Sequence, residues 1–68
     1  MENVTLKLFV DDEVNIEYKL FINHAGEHCV RVWDLDALEI VNLAKCKDAA
    51  QAEGLYKKTV DAVKKINK

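Results

Sequence analysis

The side chains of this chain that could do chemistry are its histidines, cysteines and carboxylates, and their spacing decides what they can do. His24 and His28 flank a turn, and Cys29 adjoins His28. A zinc site needs about four ligands converging at short His and Cys spacings. Two histidines and one thiol are an incomplete set, completed only if the segment carrying Cys46 comes alongside. Strand alternation also sends His28 and Cys29 to opposite faces, so no metal is expected. Cys46 lies between Lys45 and Lys47 just before a helix start, where a thiolate would be favoured. A nucleophile also needs a base within reach, and no histidine is placed to serve. The carboxylates cluster as Asp11-Asp12-Glu13 and Asp34-x-Asp36, without the length or the glycine of a calcium loop. Paired carboxylates acting as acid and base need a pocket, and a chain of 68 residues offers little concave volume. The chain has no serine and no glycine-rich phosphate loop. No catalytic residue and no cofactor are assigned, and a non-enzymatic protein is expected.

The elements that would position these groups can be read from periodicity. Val4, Leu6, Leu8 and Val10 alternate with Thr5, Lys7 and Phe9, which predicts a strand. Val14, Ile16, Tyr18, Leu20 and Ile22 predict a second after the polar turn Asp11-Asp12-Glu13. His28 to Trp33 predicts a third after Asn23–Glu27, where Gly26 can take positive φ. Pairing Val10 with Val14, Leu8 with Ile16 and Leu6 with Tyr18, then Ile22 with His28 and Leu20 with Val30, puts one apolar set on one face. The same register sets Lys7 opposite Glu17 as a cross-strand ion pair. Residues 38–46 fit a fourth strand or a helical turn, since Asp36-x-x-Glu39 could be a capping box. The β-branched neighbours Ile40 and Val41 favour the strand. Asp48 to Ile66 predicts a helix, N-capped by Asp48 with Gln51 three residues on. Its apolar stripe runs through Ala49, Ala52, Tyr56, Val60 and Val63. Gly54 either costs helix stability or lets the helix approach the sheet closely. The expected fold is α+β: one domain over residues 1–68, a three- or four-stranded antiparallel meander with the C-terminal helix packed on one face.

One helix cannot cover both faces of a sheet. In this register the second face carries Phe9, Phe21, Cys29 and Trp33 among Lys7, Glu17, Lys19 and Arg31. Trp, Phe and Arg are enriched at protein interfaces. Phe21, Arg31 and Trp33 are therefore the candidate anchors of a contact with a protein partner or a second copy.

Charge bounds the other readings. Ten basic and twelve acidic residues give a net charge of -2. Residues 1–39 hold nine acids against Lys7, Lys19 and Arg31, whereas residues 40–68 hold seven lysines against Asp48, Glu53 and Asp61. Lys57, Lys58, Lys64 and Lys65 could meet phosphates, which makes a small nucleic-acid binder the alternative. Arg31 is the only arginine, a poor composition for that role. An inhibitor-type protein whose acidic turns imitate an anionic partner is a further alternative. Two cysteines are too few for a disulfide framework, Met1-Glu2 does not open a basic-then-apolar leader, and no apolar run approaches the roughly 18 residues of a membrane helix. A cytoplasmic protein with free thiols and no membrane contact is expected.

Overall fold

The computed structural model describes residues 3–66, with side chains as far as Lys64. The side chains of Lys65 and Ile66, and all of residues 67–68, lie outside the described part. Four strands, β1 (Val4–Asp11), β2 (Ile16–Ile22), β3 (His28–Asp34) and β4 (Glu39–Cys46), form one antiparallel sheet in chain order, and α1 (Ala49–Ile66) packs across it. The α+β meander expected from the sequence is the observed fold, and residues 39–46 are strand.

The β2–β3 hairpin keeps the expected register, Ile22 opposite His28, Leu20 opposite Val30 and Tyr18 opposite Val32. Its turn is organised by Asn23, whose Oδ1 accepts from Ala25 N at 3.0 Å and Glu27 N at 2.9 Å. Gly26 closes it at a φ of 83°, a region that other residues enter only with strain.

The β1–β2 register is corrected. Asp11 pairs with Ile16 and Phe9 with Tyr18, so Val10 lies opposite Glu17 and not Val14. The cause is the turn, which is longer than the Asp11-Asp12-Glu13 connection expected. Asn15 takes a φ of 55°, which asparagine tolerates, and Asp11 Oδ1 accepts from Glu13 N at 3.1 Å. A shift by an odd number of residues turns a strand over. Phe9 and Lys7 thus face the helix, Phe9 with its ring 6.0 Å from that of Tyr18, while Leu8 and Val10 face away. The expected Lys7–Glu17 pair does not form; Lys7 lies opposite Leu20, and Glu17 pairs with Arg31 at 3.2 Å. A bulge between Thr5 and Lys7 then returns Val4 opposite Ile22.

The β3–β4 turn is held by Asp34, whose Oδ1 accepts from Asp36 N at 2.9 Å and Ala37 N at 3.1 Å. It is tied to the β1–β2 turn by Leu35 N donating to Asn15 O at 2.9 Å and by Asn15 Nδ2 donating to Asp36.

Asp48 caps the helix as its sequence position demands, Oδ1 accepting from Gln51 N at 2.8 Å, and Gln51 Oε1 reaches back to Lys47 N at 2.7 Å. Two otherwise orphaned backbone donors are satisfied this way. The core is Tyr18, Leu20 and Val30 from the sheet against Ala52, Tyr56 and Val60 from the helix, edged by Phe9, Ile16, Val32, Cys46, Leu55 and Val63. Ala52 is fully buried in that core. A Cβ at Gly54 would meet nothing within 4 Å, which removes the packing reason considered for that glycine. Ala49, placed on the stripe by spacing, is exposed.

Candidate functional site

With α1 on one face, the other face of the sheet is left uncovered, and the register lays its side chains out in cross-strand rows. Val10, Glu17, Trp33 and Ile40 form one row, and Leu8, Lys19, Arg31 and Leu43 the next. Thr5, Phe21, Cys29 and Lys45 form a third. Side chains alternate faces along a strand, and the residues between these rows, such as Tyr18, Leu20 and Val30, are those packed under the helix.

The centre of the face is a stack of cations on rings. Arg31 Cζ lies 5.2 Å from the Trp33 ring centroid and 5.9 Å from that of Phe21, and Lys19 Nζ lies 5.3 Å from Phe21. Arg31 Nη2 meets Glu17 Oε1 at 3.2 Å, while Arg31 Nε is buried without a hydrogen-bond partner. The three candidate anchors are thus neighbours on one face. Phe21 is nevertheless only 6% exposed, covered by the cations above it, and Arg31 and Trp33 are half-buried. Phe9, placed on this face by the sequence register, is on the other.

Exposed aliphatic side chains flank that stack, in addition to Val4, Leu6, Val14 and Leu38 at the strand end, the β1 bulge and the turns. Leu8 and Val10 line it along β1, and Ile40 and Leu43 along β4, next to Val41 at the β4 bulge, with Leu8 56% and Val41 59% exposed. Periodicity alone does not point to these residues, because it sets β1 against β2 in a different register and leaves residues 38–46 open between strand and helix. The signal that could have found them is Phe9: burying its ring under the helix forces Leu8 and Val10 outward. Both edge strands are irregular, β1 between Thr5 and Lys7 and β4 opposite Val32 and Trp33. Bulges blunt a sheet edge against pairing with another strand.

The two thiols are separated by the sheet. Cys29 is buried at the end of the uncovered face, its Sγ 3.6 Å from both Asn23 Nδ2 and Glu27 O. Burial and then the Glu27 carboxylate push this thiol up from its ordinary pKa, against a smaller pull from Lys45. Cys46 lies opposite His28 and packs against the core. Both cysteines are free, and no three His, Cys, Asp or Glu side chains among the described residues are grouped to hold a metal ion.

The lysines of α1 do not form one surface. Lys57 and Lys64 line a groove between α1 and β1 with Lys7, interleaved with Glu53 and Asp61, and Lys64 Nζ lies 5.1 Å from the Phe9 ring. Lys58 is exposed elsewhere on the helix, and the Lys65 side chain lies outside the described residues. The acidic turns meet at one end of the sheet, where Asp11, Asp34 and Asp36 accept backbone or Asn15 donors. No helix among the described residues is long and apolar enough to cross a membrane. No protein-family model, no curated protein and no solved structure matches this chain, so the uncovered face has to be read from its own geometry.

Proposed function

We propose that this protein is a non-enzymatic association module whose contact surface is the uncovered sheet face, with Phe21, Arg31 and Trp33 at its centre and Leu8, Val10, Ile40, Val41 and Leu43 around them. The observation that carries the reading is the aliphatic rim: exposed apolar side chains on both edge strands of one face, flanking a preordered Arg-aromatic stack. Contiguous apolar patches rimmed by polar residues mark interaction surfaces, and rings and guanidinium groups already held in place lose little freedom on binding. The lysines on the helix support the nucleic-acid alternative less well, because two of them alternate with Glu53 and Asp61 around the groove. The acidic turns support mimicry of an anion less well, because several of their carboxylates are engaged within the chain. The free thiols suit a reducing compartment, the cytoplasm.

Two measurements test the reading together: solution mass against concentration, and binding of an apolar-surface dye. The protein either associates or, as a monomer, binds the dye, and Leu43→Lys removes whichever behaviour is seen without unfolding the chain. A monomer that leaves the dye dark, or an association indifferent to Leu43→Lys, overturns it.

A further inference from the structure

We infer that the occupant of the uncovered face is a second copy of this chain, packed sheet against sheet about a two-fold axis that crosses the strands between its first two rows. The inference rests on the association reading above and names its partner. In such an interface each patch meets itself turned over. An axis lying between the sheets, at right angles to the strands, exchanges the row Val10, Glu17, Trp33, Ile40 with the row Leu8, Lys19, Arg31, Leu43. Val10 then sits over the partner's Leu8, Glu17 over the partner's Lys19, Trp33 over the partner's Arg31, and Ile40 over the partner's Leu43. Every juxtaposition is complementary: aliphatic on aliphatic, carboxylate on ammonium, ring on guanidinium.

The alternative two-fold, parallel to the strands, keeps each row over itself. It sets Lys19 over the partner's Arg31, cation on cation, at the centre of the contact. The same opposition extends beyond the rows. The face runs from the acidic turns at Asp12, Glu13 and Asp36, past Lys19 and Arg31 at its centre, to Lys45, which lies 3.8 Å from Glu27 at the other end. The crossing axis keeps the acidic turns of the two copies at opposite ends of the contact. Edge-to-edge pairing is disfavoured by the bulges in β1 and β4. The product is a four-layer particle, helix, sheet, sheet, helix, with sheets about 10 Å apart.

Area sets how much of the face is needed. Strands about 4.8 Å apart and residues at about 3.3 Å make the face roughly 19 by 26 Å. A standard interface buries about 800 Å² of accessible surface per partner. The whole face, both aliphatic edges included, must therefore be used.

Charge reversal at Glu17 and Lys19 tests the register. The Glu17→Lys chain carries two cations along β2 and the Lys19→Glu chain two anions. Alone, each is expected to self-associate about tenfold or more weakly than the wild type, because like charges are brought together twice. Mixed in equal amounts, they form the heterodimer, since each cation then faces an anion. The double variant Glu17→Lys/Lys19→Glu recovers self-association; it also sets a carboxylate opposite Arg31, so it controls for loss of the Arg31–Glu17 pair in the single variant. Circular dichroism confirms that each chain is folded, and sedimentation equilibrium reads the mass. A wild type that stays monomeric but binds the apolar dye overturns the second copy and leaves the contact surface standing. An association lost with Leu43→Lys but with no complementation in the mixture overturns this two-fold alone. An association indifferent to Leu43→Lys overturns both readings.

Discussion

At the scale of single residues, polar groups in this protein work mainly as fasteners. Asn23 spends its side chain on the β2–β3 turn, accepting from two backbone donors and donating to Glu27 Oε1 at 3.0 Å. Replacing it with alanine leaves those donors without their partner, and Asn23→Ala is expected to cost about 1–2 kcal/mol in urea unfolding. An unchanged midpoint would mean that water replaces the amide without loss. Tyr18 and Tyr56 are held by burial, which pushes both phenols above their ordinary value of 10.0, with the Asp11 charge adding to the effect at Tyr18. The folded protein therefore holds these protons more tightly than the unfolded chain does. The stabilisation is complete below the ordinary tyrosine pKa and is lost as pH rises through the raised one. Tyrosinate absorbance should consequently lag behind that of a denatured control above pH 10 and rise together with unfolding, and Tyr56→Phe should lessen the alkaline loss of stability. Phenols that titrate like the denatured control in a chain that remains folded would contradict their burial.

At the scale of elements, the helix is well begun and poorly filled. Its first turn satisfies two donors through Asp48 and Gln51, yet Gly54 stands in its interior with open space where a Cβ would lie. Glycine costs a helix roughly 0.5–1 kcal/mol relative to alanine, so Gly54→Ala should stabilise the protein by about that amount in thermal or urea unfolding. A loss of stability would mean that the helix sits closer to β1 than the groove beside Gly54 shows. The elements also differ in how far their sequences dictate them. The β2–β3 hairpin was legible because each strand has one densely apolar parity and the turn carries Asn23 and Gly26 at its ends. The helix was legible from its cap and its stripe. The face of β1 was not, because its densely apolar parity, Leu6, Leu8 and Val10, is not the one that faces the helix; the turn, with Asn15 at a φ of 55°, sets the register that turns Phe9 inward instead. β4 was ambiguous because Ile40 and Ala44 fit both periods, with Leu38 on a strand face or with Ala37 and Val41 on a helical one, and only pairing with β3 selects the strand. The candidate surface inherited these errors. Its centre could be read from β2 and β3, whereas its aliphatic rim, drawn from β1 and β4, could not.

At the scale of the whole molecule, the protein is a slab, 35 × 24 × 15 Å across its Cα atoms. That thickness holds one sheet and one helix, about 10 Å apart, with no third layer. A small two-layer domain buries only about 60% of the surface of its unfolded chain, and here the unburied share includes the aliphatic rim of an entire sheet face. Covering that face adds stability by mass action, so the melting temperature should rise with protein concentration. Trp33 lies half-buried within the face, under Arg31, and reports on it directly. The measurement that bears most directly on the account is solution mass by light scattering across a dilution series, with Trp33 emission recorded on the same samples. Mass should double and emission should move to shorter wavelength with a single shared midpoint. A mass that changes while the emission stays fixed would place the contact elsewhere on the molecule and contradict the account.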